Sequence, residues 1–465
     1  MKQDILPADI VHRKLMQYRS NQTLDRSSFE RVQLTRFRAL VAHAYRCSPY
    51  YRRLIDERAI RLDSCTPQDF PVLTKALLIA HFDEIVTDRS LDKKSVRRFL
   101  ATATGPTELL HGRYIVRETS GTSGERLPVV SSLDECAGLA AQMRRFEPDD
   151  SSGARFAFIG VTNRYAASYI GVSHLFPAHA PHEFLPIDVG MPLPTIVEQL
   201  NDFRPNVLCG YTSAILALAR VPEAQRTACR PSSINCVGEV MLAPVGREIE
   251  KAFACPVTNV YGTTEFGVMG IGQGEHMLLL EDDLIYEFMG NYVNVTSLNQ
   301  YTMPLIRYTL HDALARRFDR SAGPYTVISS HFGRAEEAVR LLNDEGRMDE
   351  LNALAIIGLS LGIDGMSQCQ VVVEGERTIR FRFSLADSLQ ETQKRKLRAK
   401  VRNDLMAMLK MKSMTKVSFW LDESTASFAD PLTGKTRLVH YGSGEHTYCG
   451  ARAAVPQGTM ASCRS

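Results

Sequence analysis

The residues able to do chemistry in this chain gather in short stretches of glycine, hydroxyl, carboxylate and cationic side chains. One is Thr119-Ser120-Gly121-Thr122-Ser123-Gly124-Glu125-Arg126-Leu127-Pro128, which follows the apolar run Tyr114-Ile115-Val116. Gly121 and Gly124 let the backbone bend through φ > 0 and turn its N–H groups toward an anion. Ser120, Thr122 and Ser123 add short hydroxyl donors suited to phosphate oxygens. Ordinary surface turns share this composition, so the stretch takes its meaning from its companions.

Those companions lie downstream. Tyr261-Gly262-Thr263-Thr264-Glu265 offers a ring face for a base, hydroxyls for a phosphate and a carboxylate able to hold Mg²⁺. Asp312, after Pro304-Leu305-Ile306-Arg307-Tyr308 and His311, can accept both hydroxyls of a ribose or simply cap a turn. Phe332-Gly333-Arg334 falls where the texture of the sequence changes, so Gly333 suits a hinge and Arg334 a clamp beside it. Pro431-Leu432-Thr433-Gly434-Lys435-Thr436-Arg437 carries a lysine in a turn. Its Gly-Lys-Thr is no Walker loop, because Ala429 stands where that motif needs glycine.

The elements that must position these residues can be read from size and pattern. At 465 residues, 44% hydrophobic and 23% charged, the chain has room for two or three domains and a large core. A net charge of +3 argues against a nucleic-acid-coating protein. No apolar run is long enough to span a bilayer, and the N-terminus has no signal-peptide core, so a cytoplasmic protein without a membrane partner is expected. The ten cysteines form no Cys-x-x-Cys pair, which favours reduced, buried thiols.

Helical spacing of Val32, Leu34, Phe37, Leu40, Val41 and Ala44 ends at Ser48-Pro49, and Phe70 to Lys75 suggests a turn and another helix start. From Ala154, buried-strand runs at 155–159, 206–210, 233–237 and 256–260 alternate with helical pieces at 194–203 and 213–219. This predicts layered α/β structure with a largely parallel sheet, whose ligands collect beyond the strands' carboxyl ends. Gly210-Tyr211-Thr212-Ser213 and Gly238-Glu239 occupy such ends, as does the stretch at Tyr261. After Arg334, strands at 370–373, 377–383 and 416–420, with a helix bearing Leu397, Val401, Leu405 and Met408, suggest a small α+β domain. The basic run Lys394–Arg402 is most simply a solvated helix face, although it could receive an acidic partner. The expected division is a large domain over 1–333, a small one over 334–440 and a flexible tail over 441–465.

In this order, and at these intervals, the motifs resemble the adenylate-forming (AMP-binding) enzymes, most of all the phenylacetate–CoA ligase and coenzyme F390 synthetase branch. The similarity extends over most of the chain to about residue 440, including Ser48-Pro49-Tyr50-Tyr51 and Phe70 to Lys75. It implies a large N-terminal α/β domain and a small, mobile α+β C-terminal domain. It also implies ATP and Mg²⁺ as cofactors, and activation of a small carboxylic acid as an acyl-adenylate with release of pyrophosphate. The acyl group would then pass to coenzyme A or to the phosphopantetheine of an acyl or peptidyl carrier protein. An amine acceptor, giving an amide ligase, and a nucleotide-binding partner without turnover are the alternatives.

Residue by residue, the resemblance assigns Ser120 to Gly124 to the β- and γ-phosphates. Gly238 and Glu239 fall at the adenine edge, Tyr261 stacks on the base, and Gly262 and Thr263 also belong to the nucleotide site. Thr264 falls to the α-phosphate, Glu265 to Mg²⁺, Asp312 and Arg334 to the ribose, and Lys435 to the reacting phosphate and carboxylate. Tyr165, Tyr211 and Ser213 would border the acid, with Phe156 and Phe158 as further liners. Three departures stand out: Glu125-Arg126 replaces a lysine, so Arg126 would take its phosphate contact; His311 replaces a glycine; and Ala335-Glu336-Glu337 replaces an aspartate-bearing hinge. No cysteine occurs between Cys255 and Cys369, so the zinc site of some relatives is not expected. Lys435→Ala should abolish adenylate formation while leaving ATP affinity within about a few-fold, checked by pyrophosphate exchange beside equilibrium ATP binding.

Overall fold

The computed structural model describes residues 6–119, 126–146, 155–162, 166–175, 183–226, 228–239, 241, 243–274, 276–290, 292–317, 319, 322–334, 339–351, 366–385, 389–424, 428 and 439–441. The N-terminal part is helical: α1 (Ala8–Asn21), α2 (Arg26–Cys47), α3 (Pro49–Glu57), α4 (Lys75–Ala80), α5 (Phe82–Ile85) and α6 (Lys93–Thr102). Ser48 both ends α2 and starts α3, since its Oγ accepts from Tyr51 N while Pro49 takes the first helical position, where no donor is needed.

β1 (Tyr114–Glu118) and β2 (Pro128–Ser132) pair antiparallel on either side of the glycine-rich stretch. A capping box at Ser132 and Glu135 then opens α7 (Leu133–Arg144). Strand and helix alternate next: β3 (Arg155–Gly160), α8 (Ala167–Leu175), β4 (Glu183–Asp188), α9 (Leu193–Phe203), β5 (Val207–Tyr211), α10 (Thr212–Arg220), β6 (Ser233–Val237), α11 (Ala243–Phe253) and β7 (Val257–Thr263). Strands then follow one another: β8 (Gly267–Gln273), β9 (His276–Leu279), β10 (Leu284–Phe288), β11 (Val293–Ser297), β12 (Tyr308–Leu310), β13 (Asp312–Arg317) and β14 (Val327–Arg334). The C-terminal part contains β15 (Val339–Leu342), β16 (Met348–Leu351), β17 (Met366–Gly375), β18 (Thr378–Leu385), α12 (Glu391–Met411), β19 (Ser418–Glu423) and β20 (Val439–Tyr441).

The main sheet has nine strands in the order β13-β14-β9-β8-β7-β6-β5-β3-β4. It is parallel from β4 through β7 and antiparallel from β7 to β13. The expectation of a largely parallel sheet therefore holds for one half only. The β7–β8 and β8–β9 connections are short hairpins, which leave no room for the crossover that parallel pairing needs. In β3 the side chains alternate: Phe156 and Phe158 pack with Val172 of α8, while Ala157 and Ile159 face Ile196, Ile215 and Ile249 of α9, α10 and α11. A small sheet, β19-β18-β17-β20, carries α12 through Val401, Leu405 and Met408. Ile379, Phe381 and Phe383 point into that core while Arg380 and Arg382 do not, as their alternation predicts. The architecture is a large N-terminal α/β domain with a small C-terminal α+β domain. Among the described residues no helix is long and apolar enough to cross a membrane.

The N-terminal helices do more than cover the core. They surround Glu281-Asp282-Asp283, a run of buried acids between β9 and β10. Tyr18 Oη and Arg36 Nη2 each donate to Asp283 at 2.5 Å, and Gln142 Nε2 donates to it at 3.1 Å. Asp282 accepts from Asn21 at 2.8 Å and from Arg145 at 2.6 Å. Arg26 takes both oxygens of Glu281, at 3.0 and 2.9 Å. Leu73 adds a strap beside β12: its N–H donates to Arg307 O and its carbonyl accepts from Thr309 N, both at 3.0 Å.

Burial alone would raise the pKa of Asp283, but Arg36 and Lys14 more than reverse it, so its carboxyl titrates below the ordinary range. A depressed pKa means that its stabilisation is complete above about pH 4 and fades as pH falls. Asp283→Asn should cost about 3–5 kcal/mol at neutral pH, because it strips a buried guanidinium of its counter-charge. It should also flatten the acid limb of stability, as followed by urea unfolding from pH 7 downward.

Candidate active site

Tyr261, Gly262 and Thr263 lie within the last residues of β7, and Thr264-Glu265-Phe266 form the turn into β8. The ladder shifts register between Tyr261 and Gly262, and a Cβ at Gly262 would stand 2.6 Å from the carbonyl oxygen of Gly267. Gly267 itself has φ +72°, so both glycines are demanded by the tight return. Thr263 Oγ1 closes the turn by accepting from Phe266 N at 3.3 Å. Thr264 is half-buried at its apex.

Glu265 is mostly buried, and two donors hold it. Tyr308 Oη donates to its Oε1 at 2.9 Å, and Gln300 Nε2 donates to its backbone carbonyl at 2.5 Å. Across the site, Tyr261 Oη donates to Asp312 Oδ2 at 2.5 Å, with both residues buried. Asp312 opens β13, where its register partner on β14 is Arg334. The structure thus brings together Tyr261, Asp312 and the backbone at Arg334, all singled out from the sequence. One oxygen of Asp312 already holds a phenol, so the carboxylate arrives oriented.

At the carboxyl ends of the neighbouring strands, Gly238 turns the chain after β6 at φ +75°. Glu239 then reaches back to α10, accepting from Ser213 N at 2.7 Å and from Ser213 Oγ at 3.1 Å. A carboxylate on free N–H groups at a helix start is stabilising twice, by hydrogen bonding and by the helix dipole. Tyr211 precedes that helix, buried, its phenol pushed up by burial and bonded by the Ser168 hydroxyl and the Val161 N–H. Phe156 and Phe158 lie in the apolar cluster against α8. Arg126 is exposed and forms an ion pair with Glu118 at 3.3 Å.

Ser120, Gly121, Thr122, Ser123, Gly124, Tyr165 and Lys435 lie outside the described residues, as does the side chain of Arg334. Sequence reasoning gave no role to Tyr308, quoted only as the end of the stretch from Pro304, or to Gln300. Among the described residues no group of three or more His, Cys, Asp or Glu could hold a metal. A single carboxylate at Glu265 fits Mg²⁺ when phosphate oxygens supply the other ligands, the usual arrangement for that ion.

Comparison with known proteins accords with this geometry. No profile of a known protein family matches the chain. Over 91% of both chains it superposes on 2-hydroxyisobutyryl-CoA ligase, in the postadenylation state with an acyl-AMP, at a TM-score of 0.69 and 17% identity. It is 24% identical over 320 residues to phenylacetate-coenzyme A ligase of Thermus thermophilus, covering 63% of this chain and 66% of that protein. It is 29% identical over 126 residues to protein CapK of Staphylococcus aureus, covering 25% of this chain and 28% of that protein. The fold is that of the adenylate-forming CoA ligases. In sequence, the chain is distantly similar to phenylacetate–CoA ligase.

The link between Glu239 and Ser213 can be tested apart from any activity. Glu239→Ala should lower unfolding stability by about 1 kcal/mol, with Glu239→Gln losing less, measured by chemical denaturation.

Proposed function

We propose that the chain activates a small carboxylic acid with ATP, forming an acyl-adenylate and pyrophosphate, and passes the acyl group to a thiol, with coenzyme A as the acceptor. The observation that carries this reading is the Tyr261–Asp312 hydrogen bond beside Glu265. It joins a ring for the base, a carboxylate for the ribose and a carboxylate for the metal at one end of β7.

In this reading Tyr261 lies against adenine, with the backbone at Gly238 and Glu239 along its edge. The free oxygen of Asp312 accepts from a ribose hydroxyl, and Arg334 clamps the sugar from the end of β14. Ser120 to Gly124, with Arg126, hold the outer phosphates, and Arg126 exchanges Glu118 for phosphate when the nucleotide arrives. Thr264 donates to the α-phosphate. The substrate carboxylate attacks the α-phosphorus, a P–O bond forms, and the bond to the leaving pyrophosphate breaks. Two anions must meet in that step, so the ammonium of Lys435 screens them. Mg²⁺, with Glu265 as its protein ligand, supplies further charge neutralisation when bound. Tyr211 and Ser213 border the acid.

We assign 1–333 to the adenylating domain and 334–440 to a small domain that swings about Gly333-Arg334, withdrawing Lys435 so that the thiol can enter. The likeness to an acyl-AMP-bound CoA ligase over most of the chain supports this order of events.

Acid-dependent exchange of labelled pyrophosphate into ATP, run with aryl, arylacetic, amino and fatty acids, tests the proposal. Exchange with at least one acid is expected, and Glu265→Gln should lower it by about 10²–10³. Measurable ATP binding without exchange for any acid would refute the assignment.

A further inference from the structure

We infer that Tyr308 and Gln300 are positioning residues for the metal ligand Glu265, fixing its carboxylate and its main chain separately. The inference rests on the reading of Glu265 given above. Tyr308 Oη binds Oε1 at 2.9 Å, so among the described residues only one of the two carboxylate oxygens is engaged. The other is left for an ion. A neutral phenol suits this task, since it orients the carboxylate without cancelling its charge.

Gln300 works on the other side of the same residue, with Nε2 at 2.5 Å from the Glu265 carbonyl. That bond pins the backbone of a turn that also closes through Thr263 Oγ1, which accepts from Phe266 N, and through the Thr263–Gly267 pair of the β7–β8 ladder. One donor therefore sets where the residue sits, and the other sets which way its carboxylate points.

Both donors are themselves immobilised. Tyr308 is 2% exposed and meets Phe266 edge-on at 6.0 Å between ring centroids. Its backbone is flanked by the two hydrogen bonds of Leu73, at Arg307 O and Thr309 N. Gln300 is buried, and Ser297 Oγ accepts from its backbone N–H at 3.2 Å. Gln300 also lines a small cavity with Glu135, Gln142 and Asp283, and among the described residues the Oε1 atoms of Gln300 and Gln142 have no hydrogen-bond partner. The amide is thus committed to Glu265 through its nitrogen alone. Outer partners of this kind commonly govern metal affinity by about 10–100-fold.

The test uses the full chain with ATP and Mn²⁺, free Mn²⁺ being counted by electron paramagnetic resonance. Tyr308→Phe and Gln300→Met should each weaken Mn²⁺ binding to the ATP complex by about tenfold or more, leaving metal-free ATP affinity unchanged. In pyrophosphate exchange, the Mg²⁺ concentration for half-maximal rate should rise in parallel, with much of the rate recovered at saturating Mg²⁺. Thermal melting identifies any variant that fails to fold, and Gln300→Met then decides alone should Tyr308→Phe be lost. If Glu265→Gln weakens Mn²⁺ binding but neither positioning variant does, the inference is overturned and the site reading stands. If Glu265→Gln leaves Mn²⁺ binding intact, the metal assignment itself falls.

Discussion

The structure depends first on neutralising three adjacent buried acids. Glu281, Asp282 and Asp283 sit where the main sheet hands over to β10, and their desolvation would be prohibitive without counter-charges. Arg26 and Arg36 come from α2, Arg145 follows α7, and Tyr18 and Asn21 come from α1. The Asp282–Arg145 pair is almost wholly dry, its side chains 0% and 1% exposed. Such a cluster is a costly way to gain stability but an exacting way to fix geometry, since no slipped arrangement satisfies all its members. It locks the N-terminal helices, α7 and the β9–β10 connection into one body.

The candidate site is built against that body. Glu135, which accepts from Thr302 N, and Asn299, which donates to the carbonyl of Glu135, bind α7 to the segment that carries Gln300. Lys14 of α1 reaches the same Asn299. A chain of polar contacts therefore leads from the N-terminal helix to the turn that bears Glu265. Beside it, the antiparallel return through Gly262 and Gly267 brings Tyr261 opposite Asp312. Rigid support from behind and a tight hairpin in front leave little freedom to the groups that matter.

What the sequence disclosed and what it hid divide along a physical line. The strands β3, β5, β6 and β7, the helices α9 and α10, and the elements from β17 to β19 were legible because buried runs and alternation are local. The grouping at Tyr261, Glu265 and Asp312 was legible through motif order. The antiparallel half of the main sheet was not, because short apolar runs look alike whichever way they pair. Glu281, Asp282 and Asp283 were given no role from the sequence, since nothing local announces partners at Arg36 and Arg145. Glu239, expected at an adenine edge, also sets its carboxylate on Ser213 at the start of α10, a contact that no spacing rule foretells. Tyr308 was given no role of its own, because no local pattern shows that its hydroxyl will meet a carboxylate 43 positions away.

The strap at Leu73 bears on how the polypeptide reaches this state. Phe70 O accepts from Arg307 Nη1 across 237 positions of sequence, and Leu73 pairs on either side of Tyr308 over a comparable span. During synthesis the early helices must wait for β12 before that edge can be satisfied. Loops of such length close slowly, and the unpaired edge meanwhile invites wrong neighbours. This connectivity predicts that the site assembles late in folding, after the N-terminal helices and β12 have met.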